Sequence, residues 1–179
     1  EMRVKYNKQW EDIGESLTTN NTPGATGDGI VMGEAVGANL VGMGWIQLMP
    51  LNSVSGGGIS GYVNSSLYCN KEGKRFVAED QRRDVLAAAV LAQTDKLFYI
   101  VCDQKEAELR GMTPEVLSYM VDNGLVYSGE TIAELAENMG VPADALEETV
   151  KEFNEAVKAG KPDEFGRTTW ENTIEVGPF

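Results

Sequence analysis

Asn70-Lys71-Glu72-Gly73-Lys74-Arg75-Phe76-Val77-Ala78-Glu79-Asp80-Gln81-Arg82-Arg83-Asp84 is the stretch on which the fold reading turns. Leu67-Tyr68-Cys69 and Arg75-Phe76-Val77 flank a polar quintet, which predicts a hairpin turning at Glu72-Gly73. The residues that follow predict a helix over 82–93, apolar on nearly every side from Val85 onward and therefore buried. Phe98-Tyr99-Ile100-Val101-Cys102 then predicts a central strand.

Beyond that strand the pattern turns helical. Thr113-Pro114 combines an N-cap with proline at the first helical position, before the stripe Val116, Leu117, Met120 and Val121. Thr131 and Glu134 match a capping box ahead of Leu135 and Met139. Leu146, Val150, Phe153 and Val157 lie on one helix face, and Gly160 is placed to end that helix. Strands and helices do not alternate regularly, so the class expected is α+β, a small mixed sheet with a hairpin and packed helices.

Upstream, residues 1–23 read as polar linker ending in Thr22-Pro23. A helix is expected to begin near Asp28 as N-cap, with Ile30, Gly33, Gly37 and Leu40 on a partly glycine-lined face. Trp45-Ile46-Gln47-Leu48 predicts a short strand closed by Pro50, and 51–64 a long Gly/Ser/Asn-rich loop.

Composition narrows the chemistry. Fifteen basic against 28 acidic residues give a net charge of −13, which repels phosphate backbones and argues against nucleic acid as a partner. The longest apolar run, Val85 to Ala92, is far shorter than the roughly 20 residues of a membrane span, so none is expected here. There is no histidine, which excludes Ser-His-Asp, Cys-His and His-metal sites within the chain. Cys69 and Cys102 sit in apolar runs and read as small core residues, and no metal site is expected.

Gly56-Gly57-Gly58-Ile59-Ser60-Gly61 matches G-x-G-x-x-G, with Glu79 spaced like a ribose-binding acid. The dinucleotide fingerprint requires its glycines to open a helix. These glycines run into Tyr62-Val63-Asn64, a better strand than helix, so a loop is the expectation.

Several stretches, taken in order, resemble the fumarate reductase/succinate dehydrogenase flavoprotein family. They are Ala25-Thr26-Gly27-Asp28-Gly29 with Glu34-Ala35-Val36-Gly37-Ala38, then Asn70 to Phe76 with Arg83-Asp84. Thr131 to Ala136, Phe153-Asn154 and Gly160 to Arg167 continue the likeness, and Gly177-Pro178-Phe179 looks like a strand re-entering a flavin domain. The resemblance implies that residues 24–179 form a substrate-capping domain and 1–23 a linker or edge segment from the flavin domain. It implies FAD as cofactor of a larger parent, the parent's flavin-binding domain as partner, and a small unsaturated acid or enone as substrate. A chain lacking most of the flavin site is not expected to hold FAD or to turn over alone.

The resemblance places Thr26, Gly27 and Asp28 against the flavin, although Asp28 also reads as a helix cap. It makes Arg83 the proton donor, where the alternative is a solvated charge cluster with Glu79, Asp80 and Asp84. The positions of the family's proton relay fall on Ile59 and Tyr62, and Met49 stands where a substrate-binding histidine is found. A substrate bulkier than fumarate is therefore implied. A ketosteroid dehydrogenase-like cap with Tyr62 as acid or base, and a stand-alone acidic binding module, are the alternatives.

Overall fold

The structure, a computed structural model, describes residues 2–10, 14, 19, 21–50 and 65–179. The chain forms two compact units, Glu1–Leu48 and Met49–Phe179. Their division therefore falls 25 residues beyond the 23/24 boundary read from composition, with the glycine-lined segment in the first unit.

The first unit contains α1 (Met2–Tyr6) and α2 (Asp28–Ala35). Gly27, not Asp28, is the N-cap of α2; it sits at φ 84°, and no side chain caps the helix. Glycine adopts that left-handed geometry without steric cost, so the turn sets the boundary one residue earlier than expected. None of α2 is buried, and Val31, Met32 and Val36 are exposed. Trp45 to Leu48 forms no strand; the segment is held by the Trp10 indole, which donates to the Ile46 carbonyl at 2.7 Å.

The second unit runs β1 (Leu67–Cys69), α3 (Arg83–Leu91), a 3₁₀ turn (Thr94–Lys96), β2 (Tyr99–Val101), then α4 (Gln104–Leu109), α5 (Pro114–Asp122), α6 (Ile132–Met139) and α7 (Ala143–Ala159). The class is α+β, as expected. The sheet is β1 and β2 alone among the described residues, and it is antiparallel rather than mixed, with Leu67, Tyr68 and Cys69 opposite Val101, Ile100 and Tyr99. The hairpin contracts to one bridge, Cys69 to Arg75. Its turn closes because the Asn70 carboxamide oxygen accepts from the Glu72 and Lys74 amides, which leaves 75–77 free to turn away.

Strand alternation distributes the core. Leu67, Cys69 and Val101 pack with Leu135, Ala136 and Met139 of α6 and with Leu146, Val150 and Phe153 of α7. Tyr68 points the other way, to Val77 and Leu86. Only Leu86, Ala87 and Val90 of α3 are buried, while Val85 is 40% exposed. The all-round burial expected of α3 is thus corrected: apolar residues on every side do not bury a helix that has packing on one face.

The downstream caps are as expected. Thr113 and Thr131 each accept from the amide three residues on, and α7 ends at Gly160 with φ 61°. The hairpin turn meets α7 closely at Gly73, where φ is +74° and a Cβ would lie 3.0 Å from the Ala145 methyl. The Asn154 carboxamide pairs with both the amide and carbonyl of Ile174, and Phe179 exchanges two backbone hydrogen bonds with Gly129. The closing segment is thereby bonded within its own unit. Among the described residues no helix is long and apolar enough to cross a membrane.

Candidate functional site

The segment between the hairpin and α3 is held by charge. The Arg75 guanidinium makes a bidentate pair with Glu79, at 2.8 Å from Nε and 2.6 Å from Nη2, and also donates to Asp163. From the far end of the chain, Arg167 Nη1 donates to the same Glu79 carboxylate at 2.8 Å and to the Ser66 carbonyl at 3.0 Å. The Tyr68 amide donates to Glu79 Oε1 at 2.9 Å. Glu79 and Arg167 are wholly buried.

The arginines are sandwiched by aromatic rings. Arg167 lies 4.6 Å from the Trp170 centroid, and Arg75 lies 5.0 Å from that of Phe165. Burial pushes the Arg167 guanidinium below its ordinary value; the facing Glu79 carboxylate opposes that shift. A cluster of this kind tolerates its desolvation only because each ion has partners at hydrogen-bond distance. The loop carrying Arg167 is shaped by Asp163, whose Oδ1 accepts from the Phe165 and Arg167 amides.

Asp80 grips the outside of the same loop. Its Oδ2 accepts from the Thr168 amide at 2.8 Å, the Thr168 hydroxyl at 3.1 Å and the Thr169 amide at 3.1 Å. Burial alone would raise the Asp80 pKa, but these hydrogen bonds outweigh it and hold the carboxyl below its usual 3.8. A carboxyl depressed by folding adds stability that is complete above its unfolded pKa and is lost as pH falls through the folded value. The stability difference between wild type and Asp80→Asn is therefore expected to be constant from neutral pH to about pH 5 and to shrink below the ordinary carboxylate value. Urea unfolding across pH measures it; a difference that grew on acidification would contradict the clasp.

Three carboxylates flank Arg83, and each is engaged elsewhere. Glu79 is taken by Arg75 and Arg167, and Asp80 by the threonines. Asp84 pairs with Arg82 at 2.6 Å. Arg83 is the first residue of α3, is exposed, and makes no hydrogen bond or ion pair with the described residues. None of these three carboxylates pairs directly with Arg83 among the described residues. A cation at a helix N-terminus also opposes the helix dipole, typically by about 0.3–1 kcal/mol. Nothing in local stability accounts for an arginine at this position.

Chain 6–178 matches the protein family described as the FAD binding domain. The chain belongs to the fumarate reductase flavoprotein family. It is 36% identical over 184 residues to an NADH:acrylate oxidoreductase of Vibrio harveyi, a match covering 100% of this chain and 18% of that protein. It is also 36% identical over 188 residues to a urocanate reductase of Eggerthella lenta, covering 100% of this chain and 30% of the relative. The open conformation of a flavocytochrome c3 fumarate reductase superposes with a TM-score of 0.70 at 29% identity, covering 99% of this chain and 30% of that one. The chain thus spans under a third of the length of these flavoproteins.

Within this member of the family, the expected site residues fall in both units. Thr26, Gly27 and Asp28 belong to the first unit, and Thr26 and Asp28 are exposed. Met49, 43% exposed, and Arg83 belong to the second. Ile59, Tyr62 and the glycines of 56–61 lie outside the described residues. Glu79, spaced like a ribose-binding acid, is instead buried in the arginine network. The cysteines fit the core reading in part. Burial pushes the Cys69 thiol up to about 12 and the half-buried Cys102 up to about 11.

The Arg75–Glu79–Arg167–Asp163 network was not legible as a unit, because its bonded partners stand as far as 88 residues apart. The one local signal was the aromatic setting of the charges, Phe76 beside Arg75 and Phe165 and Trp170 around Arg167.

Proposed function

We propose that this chain is the substrate-capping part of a longer FAD-dependent reductase that saturates an activated carbon–carbon double bond, with Arg83 as proton donor. The observation that carries this reading is the exposed Arg83 guanidinium, which has no partner among the described residues while Glu79, Asp80 and Asp84 are each engaged elsewhere. The reductase relatives give it chemical direction.

FAD fits the first unit at one edge only. The N-terminus of α2 has no side-chain cap, and the Met2 thioether packs where a Cβ on Gly27 would lie. Thr26, Gly27 and Asp28 would touch the cofactor, which when bound supplies hydride to one carbon of the double bond. Arg83 donates the proton to the other carbon. An arginine with a reference pKa above about 12 does this only in a water-poor site where the reaction demands the proton and a relay restores it. Tyr62, Ile59 and Met49 are proposed to line the substrate.

The flavin-binding part of the same protein is the proposed partner. A helix of eight residues is marginal in isolation, and α2 is apolar yet wholly unburied. Such a helix suits burial against a further domain. The isolated chain is accordingly expected to purify folded and colourless when mixed with FAD and desalted. A stoichiometric flavin spectrum would show that the chain alone completes the site.

The substrate class follows from Met49, Ile59 and Tyr62. A buried carboxylate without donors costs several kcal/mol, and neither Met49 nor Ile59 offers a side-chain donor. Methionine and tyrosine instead supply polarizable and aromatic surface for a flat or extended molecule. The full-length flavoprotein is expected to show a higher kcat/KM on an aryl-substituted unsaturated acid, such as a cinnamate, than on fumarate. Fumarate preferred by about tenfold, roughly 1.4 kcal/mol in transition-state binding, would reverse this assignment. Net oxidation of a saturated ketosteroid with no alkene reduction would support the dehydrogenase alternative instead.

A further inference from the structure

We infer that Asp80 and Glu79 are positioning residues for Arg83, and that the loop 163–169 is the anchor against which they work. The inference rests on the proposed role of Arg83 and extends it to groups that touch neither cofactor nor substrate. Glu79 and Asp80 are consecutive, yet their carboxylates grip the same loop from opposite sides. Glu79 holds Arg167 from within the core, and Asp80 holds the Thr168 and Thr169 amides from outside.

One attachment would leave the segment free to pivot; two prevent it from rolling about its own axis. Only Gln81 and Arg82 separate this double grip from Arg83, a reach of at most about 11 Å of chain. The backbone that carries Glu79 and Asp80 is turned by the Gln81 amide donating to the Ala78 carbonyl at 3.2 Å. α3 is then launched with Leu86 donating back to the Arg82 carbonyl at 3.0 Å. Arg82 is tied to Asp84, so the direction set by the clasp is expressed in the Arg83 guanidinium, which pairs with none of the described residues. The core does not require the Asp80 half of this arrangement, since the Glu79 pair already joins the loop to the sheet. Its consequence falls on the start of α3, where a displacement of about 1 Å can cost up to roughly a hundredfold in rate.

The test uses the full-length flavoprotein loaded with FAD. Asp80→Ala is expected to lower kcat at least roughly tenfold while KM stays within about threefold. The flavin spectrum should be unchanged, and the melting temperature should fall only by the modest amount that the Asp80 hydrogen bonds contribute to stability. Asp80→Asn should recover part of the loss, because its amide oxygen can still accept from the Thr168 amide. In an Arg83→Ala background Asp80→Ala should have no further effect, as expected when one residue acts through the other.

Wild-type kcat in Asp80→Ala, beside an inactive Arg83→Ala, overturns the positioning role and leaves the Arg83 reading standing. So does a parallel loss of kcat and melting temperature that asparagine does not recover. If Arg83→Ala itself stays active, the reading underneath fails and this inference fails with it. Should Asp80→Ala not fold, Thr168→Val removes only the hydroxyl donor. Lower kcat at unchanged KM then supports the clasp, and unchanged kcat overturns it.

Discussion

Arg83→Ala in the full-length flavoprotein is expected to abolish reductase turnover while leaving the flavin spectrum and substrate affinity largely intact. A proton donor acts in the transition state, so its removal lowers kcat and kcat/KM together and changes ground-state binding little. General acids typically contribute about 10²–10⁴-fold. Because Arg83 is exposed and pairs with none of the described residues, the variant breaks no hydrogen bond or ion pair among them. Loss of activity could then not be traced to unfolding. Arg83→Lys should rescue little, since an ammonium on a flexible stem does not reproduce the planar fork or the position of its charge. Steady-state kinetics with reduced flavin decide the matter: turnover above about a tenth of wild type, a loss below ~1.4 kcal/mol, would strike out the assignment.

The second large effect concerns stability. Glu79→Ala in this chain is expected to lower the unfolding free energy by about 3–5 kcal/mol, because it strands the buried Arg167 guanidinium and removes one of the two carboxylates of Arg75. Arg167 is wholly buried and would lose its carboxylate partner outright. Arg75 would keep Asp163 alone. Arg82→Ala, at the exposed end of the same segment, should stay within about 0.5 kcal/mol. Pairing Glu79→Ala with Arg167→Met should recover part of the loss, since removing both charges costs less than orphaning one. Denaturant titration of the four proteins measures this, and a Glu79→Ala change under about 1 kcal/mol would mean the network does not anchor the fold.

Much of the scaffold was legible because its signals are local. Thr113 with Pro114, Thr131 with Glu134, the stripe from Leu146 to Val157 and Gly160 each carry their helix boundary within a turn or two of chain. The family likeness was legible for the same reason, since its motifs are short contiguous runs. What failed depended on neighbours. The strand expected at Trp45–Leu48 has no partner strand among the described residues, and the Arg75–Val77 arm of the hairpin keeps one bridge there. Pairing across a sheet is not written in either strand alone.

The sequence by itself determined the α+β class, the helices after Thr113, the exclusion of histidine chemistry and the family of flavoproteins to which the chain is related. Only the tertiary structure decided which face of α3 is buried and which charges are paired. Glu79, Asp80, Arg82, Arg83 and Asp84 read as one mixed cluster along the chain. Folding brings in Arg167, Thr168 and Thr169 from more than 80 residues away to take up Glu79 and Asp80, while Asp84 pairs with Arg82 and Arg83 has no partner among the described residues. The reason is the short range of these interactions. Hydrogen bonds and desolvated ion pairs act over about 3 Å, so their partners are set by proximity in space and not by spacing in sequence.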